Sequence, residues 1–154
     1  MSTPSERLAA LGLALPPVAV PQAAYVPAVR TGNYVYVSGQ LPMVDGKLQA
    51  VGKVGDTVSA EEAAALARIC ALNGLAAAAA LVPGGVDAIT RIVKVTGFVA
   101  SVPSFTGQPA VINGASEFFI EVFGEAGRHA RSAVGLAVLP LDTPVEVELI
   151  AEVA

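Results

Sequence analysis

One cysteine and one histidine occur in this chain of 154 residues, and that scarcity excludes several kinds of chemistry. Cys70 alone cannot build an internal disulfide framework and fits a reducing compartment. Set within a helical pattern, it reads as a small buried hydrophobe. With His129 as the sole partner type, neither a metal site of the usual His/Cys kind nor a Cys-His dyad can be assembled. Basic residues are also few, 9 Lys and Arg against 13 Asp and Glu for a net charge of −4. No basic cluster exists, which argues against a surface that follows nucleic-acid phosphates.

Long uninterrupted apolar runs are lacking as well. Leu8 to Leu15 is preceded by Glu6 beside Arg7 and ended by Pro16-Pro17, a poor match to a signal peptide. The uncharged stretch from Ile69 to Val86 is broken by Asn73, Gly74, Pro83, Gly84 and Gly85, and a third of it is alanine, too weakly apolar to span a membrane. The chain therefore reads as soluble and cytoplasmic, with no membrane or nucleic-acid partner. The glycine pairs lack the lysine and strand-helix setting of a phosphate cradle. Apart from Ala76 to Ala80 there is no low-complexity segment, and no internal repeat is visible.

What the chain does have is apolar surface. Hydrophobic residues make up 54% of it, and the mean hydropathy of +0.64 is high for a monomer of this size, so other subunits are expected to cover part of it. The pattern predicts an N-terminal extension over 1–20 with a short amphipathic helix from Ser5 to Leu13 and a proline-rich lead-in, then one domain over 21–154. Val26 to Arg30 and Tyr34 to Ser38 read as a hairpin around Gly32-Asn33. Met43 to Gly55 reads as loop with short edge pairing at Asp45-Gly46.

Ser59 and Glu62 form a capping box that opens a helix to about Leu81. Ile89 to Ala100 is a β-branched strand, and Pro109 to Phe123 a second helix with Gly124 beyond its end. Ser132 to Leu139 and Val145 to Val153 are expected as a last hairpin. Two helices among mostly antiparallel strands predict an α+β two-layer sandwich with both helices on one face of the sheet.

Arg131 enters an apolar strand in a chain that is only 14% charged. Its guanidinium keeps its charge and presents a fork that matches a carboxylate, so it requires an anion from the protein or from a ligand. Glu146, Glu148 and Glu152 alternate with apolar residues along the terminal strand. A hairpin turn near Asp142 would set Arg131 and Glu148 about five residues apart along the ladder, on the order of 17 Å. One chain would not join them easily, whereas two chains meeting at an interface could. The plainer alternatives are a structural ion pair for Arg131, a solvated carboxylate for Glu148, a loop or interface role for His129, an ordinary turn at Gly39 and a core aromatic at Tyr25.

Tyr25 with Ala28-Val29, Gly32-Asn33, Val37-Ser38-Gly39-Gln40-Leu41-Pro42, Asn113, Ala130-Arg131-Ser132-Ala133-Val134, Leu139-Pro140 and Val145-Glu146-Val147-Glu148 together resemble the RidA/YjgF family of reactive-intermediate imine/enamine deaminases. The match runs from about Pro21 to the C-terminus. Ala133 stands where a cysteine is common and Ser116 where an aromatic is frequent, and the N-terminal extension with the Gly124 to His129 segment looks like a longer, divergent branch.

The resemblance implies a chorismate-mutase-like fold, a homotrimer with clefts between subunits, and hydrolysis of small 2-imino acids or enamines to 2-oxo acids and ammonia. It assigns Arg131 to the substrate carboxylate, Glu148 to the attacking water, and Tyr25, Ser38, Gly39 and Asn113 to the cleft. No cofactor or metal is implied. The alternative is a non-catalytic module of the same fold that binds a small carboxylate or regulates a partner enzyme. Ribonuclease activity fits the acidic chain and single histidine poorly, and chorismate rearrangement rests on the fold alone.

Overall fold

Turn residues set where the strands begin. In the computed structural model, which describes residues 1–18, 20–21 and 23–154, β1 (Ala28–Thr31) and β2 (Tyr34–Gln40) pair antiparallel with Thr31 opposite Tyr34. Gly32 takes the left-handed φ of 57° that the first position of this two-residue turn demands. Asp45 and Gly46, both left-handed, close the small ribbon of β3 (Met43–Val44) and β4 (Lys47–Leu48), as their dipeptide signal predicts.

Three helices follow from caps. At α1 (Pro4–Ala10) the Thr3 hydroxyl accepts from the Glu6 amide at 3.3 Å and the Glu6 carboxylate accepts from the Thr3 amide at 2.9 Å, a complete capping box. Pro4 sits at the first helical position, so the helix begins earlier than the expected Ser5. At α2 (Ala60–Ala79) only half of the predicted box forms, the Ser59 hydroxyl accepting from the Glu62 amide at 3.1 Å. Helix α3 (Gln108–Phe123) ends at Gly124, whose φ is 62°. By length and composition α2 could cross a membrane, but 61% of its most apolar window is buried within the protein. Cys70 on α2 is fully buried, which raises its thiol pKa by desolvation, as expected for a packing residue.

The main sheet has the order β1-β2-β7-β5-β6, with β5 (Ile89–Ala100), β6 (Ala130–Leu136) and β7 (Val145–Val153). This corrects the last hairpin. Strands β6 and β7 are not neighbours, because β5 lies between them, parallel to β6 and antiparallel to β7. A parallel pair needs a crossover, and α3 supplies it between β5 and β6. The chain then passes through a short 3-10 turn at Pro140–Asp142, where Lys53 is ion-paired with Asp142.

Helices α2 and α3 pack on one sheet face, where Val35, Val37, Val95, Val99, Val145, Val147 and Leu149 are buried. The contact between the helices is tight at Gly114, where a Cβ would overlap the Ala64 carbonyl oxygen. Gly114→Ala should therefore push the helices apart and cost about 1–3 kcal/mol of stability by denaturant unfolding, despite the better helix propensity of alanine. Helix α1 docks on the same layer. Leu8 is 3% exposed, and the Ser5 amide and hydroxyl donate to Asp87 at 2.8 and 2.7 Å. Among the described residues the opposite sheet face carries no helix, and it exposes Val29, Tyr34, Tyr36 and Val134.

Candidate functional site

Arg131 opens β6 on the sheet edge and leans toward α3. Its Nη1 donates to Asn113 Oδ1 at 2.7 Å and to Ser116 Oγ at 3.2 Å. Those two residues are three apart on α3 and so share a helix face. No carboxylate lies within ion-pair distance of Arg131 among the described residues. Two neutral acceptors orient the guanidinium and leave its charge uncompensated. It opens on a cavity of ≈ 230 Å³ lined also by Ser116, Ile120, Arg128 and His129.

His129 completes a chain of hydrogen bonds behind that cation. Its Nδ1 lies 2.6 Å from the Gly127 carbonyl, which can only accept, so Nδ1 carries the proton. Nε2, 2.9 Å from Ser116 Oγ, then accepts from that hydroxyl, whose lone pairs remain for Arg131. Burial pushes His129 below its ordinary 6.5, the Gly127 bond pulls it back, and the Arg131 charge lowers it further. A depressed histidine is neutral in the fold and protonated sooner when unfolded, so stability falls as pH drops below 6.5. Melting temperatures of the wild type and His129→Gln should converge in the wild type's disfavour between about pH 7 and pH 5. A constant gap would refute the neutral ring.

Glu148 lies elsewhere. Across the sheet Arg131 is level with Val95 and Leu149, whereas Glu148 is level with Thr96 and Ser132. Side chains alternate between faces, so Arg131 shares the helix-side face with buried Leu149 and Glu148 points to the uncovered one. The five-residue offset along a hairpin ladder is thus overturned: Arg131 and Glu148 are one step apart in register, and what separates them is the sheet face each one occupies. On the uncovered face Glu148 lines a cavity of ≈ 280 Å³ with Val29, Tyr36, Ser38, Lys94 and Thr96.

Beside that cavity the β2–β7 register slips between Val37 and Gln40, a bulge of the kind that re-aims side chains. The Ser38 hydroxyl donates to the Val26 carbonyl at 2.7 Å and Gln40 Nε2 donates to the Ser38 carbonyl at 3.0 Å. The Glu146 carboxylate rests against Gly39, where a Cβ would displace it. Desolvation, and then the charge of Glu148 two residues on, hold the Glu146 carboxyl above its ordinary 4.5.

The structure thus assembles two half-sites from the sequence-predicted residues. Arg131 and Asn113 meet on the helix side, and Ser38 and Glu148 line the cavity on the open side, with Gly39 beside it against Glu146. Tyr25, 55% exposed, lines neither cavity. Three participants escaped the sequence reading: Ser116, Lys94 and Glu146. Spacing from Asn113 on a helix could have flagged Ser116, but nothing local marks Glu146 apart from Glu148 and Glu152.

Comparison with known proteins supplies the kinship. The family described as "YjgF/chorismate_mutase-like, putative endoribonuclease" matches residues 5–153. The protein TCP17 of Trypanosoma cruzi is 45% identical over 143 residues, 92% of this chain and 89% of the relative. A 2-iminobutanoate/2-iminopropanoate deaminase of Salmonella typhimurium is 38% identical over 128 residues, 82% of this chain and 85% of that protein. Among solved structures, the protein Atu1372 of Agrobacterium tumefaciens superposes with a TM-score of 0.91 at 47% identity, covering 98% of this chain and 92% of that one. With its α+β fold and its spaced motifs, the chain belongs to the RidA/YjgF family.

Proposed function

We propose that this protein hydrolyses small 2-imino acids, or their enamine tautomers, to 2-oxo acids and ammonia in clefts between the subunits of a homotrimer. The observation that carries the proposal is Arg131, charged, oriented by Asn113 and Ser116, free of any carboxylate among the described residues, and facing a cavity. Such a fork suits a substrate carboxylate. The named activity of the Salmonella relative agrees with it.

An imine carbon is already electrophilic, so the protein need only hold the substrate and orient a water. Water adds, its oxygen becomes the carbonyl oxygen, and nitrogen leaves as ammonia. Sequence resemblance assigns the water to Glu148. Glu146, packed against Gly39 beside that cavity, is the second carboxylate, and its burial together with the Glu148 charge raises its pKa, which suits it to exchange the proton. Glu148 then raises Glu146 by its charge and faces the cavity. Because Arg131 and the β7 carboxylates occupy opposite sheet faces, the set closes only where the open face of one copy meets the β6 end of another. The exposed Val29, Tyr34, Tyr36 and Val134 give that face a reason to be covered.

The test is ammonia release from enzymatically generated 2-iminobutyrate and 2-iminopropionate, with sedimentation to read the assembly. A rate above buffer from a particle of three chains is expected, and no rate with either imine overturns the proposal. The separation of the half-sites also favours a second reading, a carboxylate-binding module without turnover. A 2-oxo acid that raises the melting temperature while the imine goes unhydrolysed would select it. Ribonuclease chemistry gains no support, since both nitrogens of the only histidine are engaged.

A further inference from the structure

The Arg131 cavity holds a second cation. Arg128 lines it together with Ser116, Ile120 and His129, and no acidic side chain is among the lining residues. In a chain of net charge −4, two guanidiniums at one opening make a local field that opposes the global one. A single carboxylate needs only one fork.

The backbone that carries Arg128 is pinned. Gly127 lies so close to the Phe119 carbonyl that a Cβ would overlap it, and its own carbonyl takes the His129 bond at 2.6 Å. The Arg128 amide donates to the Glu125 carbonyl at 3.2 Å, and the His129 ring stands edge-on to Phe119 at 5.9 Å. The Arg128 side chain, by contrast, is largely exposed. Its present partner is Glu125, at 3.0 Å and three residues before it, with the two side chains 66% and 87% exposed. Water screens such a pair, so a ligand carboxylate at the cavity mouth can displace it. Ile120 offers an apolar wall for the carbons between two carboxylates.

We infer that the preferred substrates are short dicarboxylic 2-imino acids, with Arg131 on the carboxylate next to the imine carbon and Arg128 on the distal one. This rests on the reading of Arg131 as a carboxylate site and adds the class of side chain. The reaction is the same hydrolysis, and the distal carboxylate takes no part in bond making. Arg128 is a specificity residue.

Calorimetric titration with two stable product-like probes, 2-oxoglutarate and 2-oxobutyrate, tests the inference. The wild type should bind 2-oxoglutarate about tenfold more tightly or better. Arg128→Ala should erase that advantage and leave 2-oxobutyrate unchanged, whereas Glu125→Ala, by freeing Arg128, should tighten 2-oxoglutarate alone. Equal affinity of the wild type for both probes, or an equal loss for both in Arg128→Ala, overturns this inference and leaves the Arg131 site standing. Binding of neither probe overturns the carboxylate site and this inference with it. Selective 2-oxoglutarate binding without ammonia release from 2-iminoglutarate supports the specificity and overturns only the catalytic reading.

Discussion

Arg131→Ala is expected to lower kcat/KM for 2-iminobutyrate by on the order of 10²–10³ while the protein stays folded. Among the described residues the guanidinium hydrogen-bonds only to Asn113 and Ser116, and Asn113 is already exposed, so truncation strands no buried charge. The change in unfolding free energy should be about 1 kcal/mol or less. Arg131→Lys keeps the charge but loses the fork, and Asn113 and Ser116 cannot hold an ammonium in the same two-pronged way. Its activity should fall between those of the wild type and the alanine variant. Unchanged kcat/KM in Arg131→Ala would remove the anion site and everything that depends on it.

Glu146→Gln should lower turnover by on the order of 10²–10⁴ and raise the melting temperature at neutral pH. The sign follows from linkage. Burial and Glu148 raise the folded-state pKa of Glu146, so the folded protein binds the proton more tightly than the unfolded chain. The favourable contribution of that proton is complete below 4.5 and is lost as pH rises through the folded value. At neutral pH the ionised group is a net cost, which the amide removes. The gain in melting temperature should therefore shrink as pH falls toward 4.5. Glu148→Gln supplies the comparison. It should bring the Glu146 titration back toward the ordinary range and shift the pH–rate profile downward. A stability loss in Glu146→Gln at neutral pH, or turnover equal to the wild type, would contradict the assignment.

Elements with strong local punctuation were legible in the sequence. The strict alternation of β7, the β-branched run of β5 and the Asp45-Gly46 turn each encode their structure in adjacent residues. The β6–β7 arrangement was not legible, because two strands separated by a short turn read as a hairpin, while β5 claims the intervening place through pairings distant in sequence. For the site, the expectation that Arg131 takes an anionic ligand rests on charge and context alone, and the structure adds the two neutral acceptors that orient it. Choosing between Glu146 and Glu148 could not follow from either, since alternation puts both on one face. The difference is imposed by Gly39 on a separate strand. The Ser116–His129 contact likewise spans 13 residues and the end of a helix.

The split between the two sides of the sheet has an evolutionary consequence. On the proposed reading, substitutions around α3 and the start of β6 would retune which acid is grasped without disturbing the packing that supports the β7 carboxylates, and the converse would also hold. Recognition and hydrolysis would then be separable traits, and a variant could lose turnover yet persist as a well-folded receptor for the same class of acid.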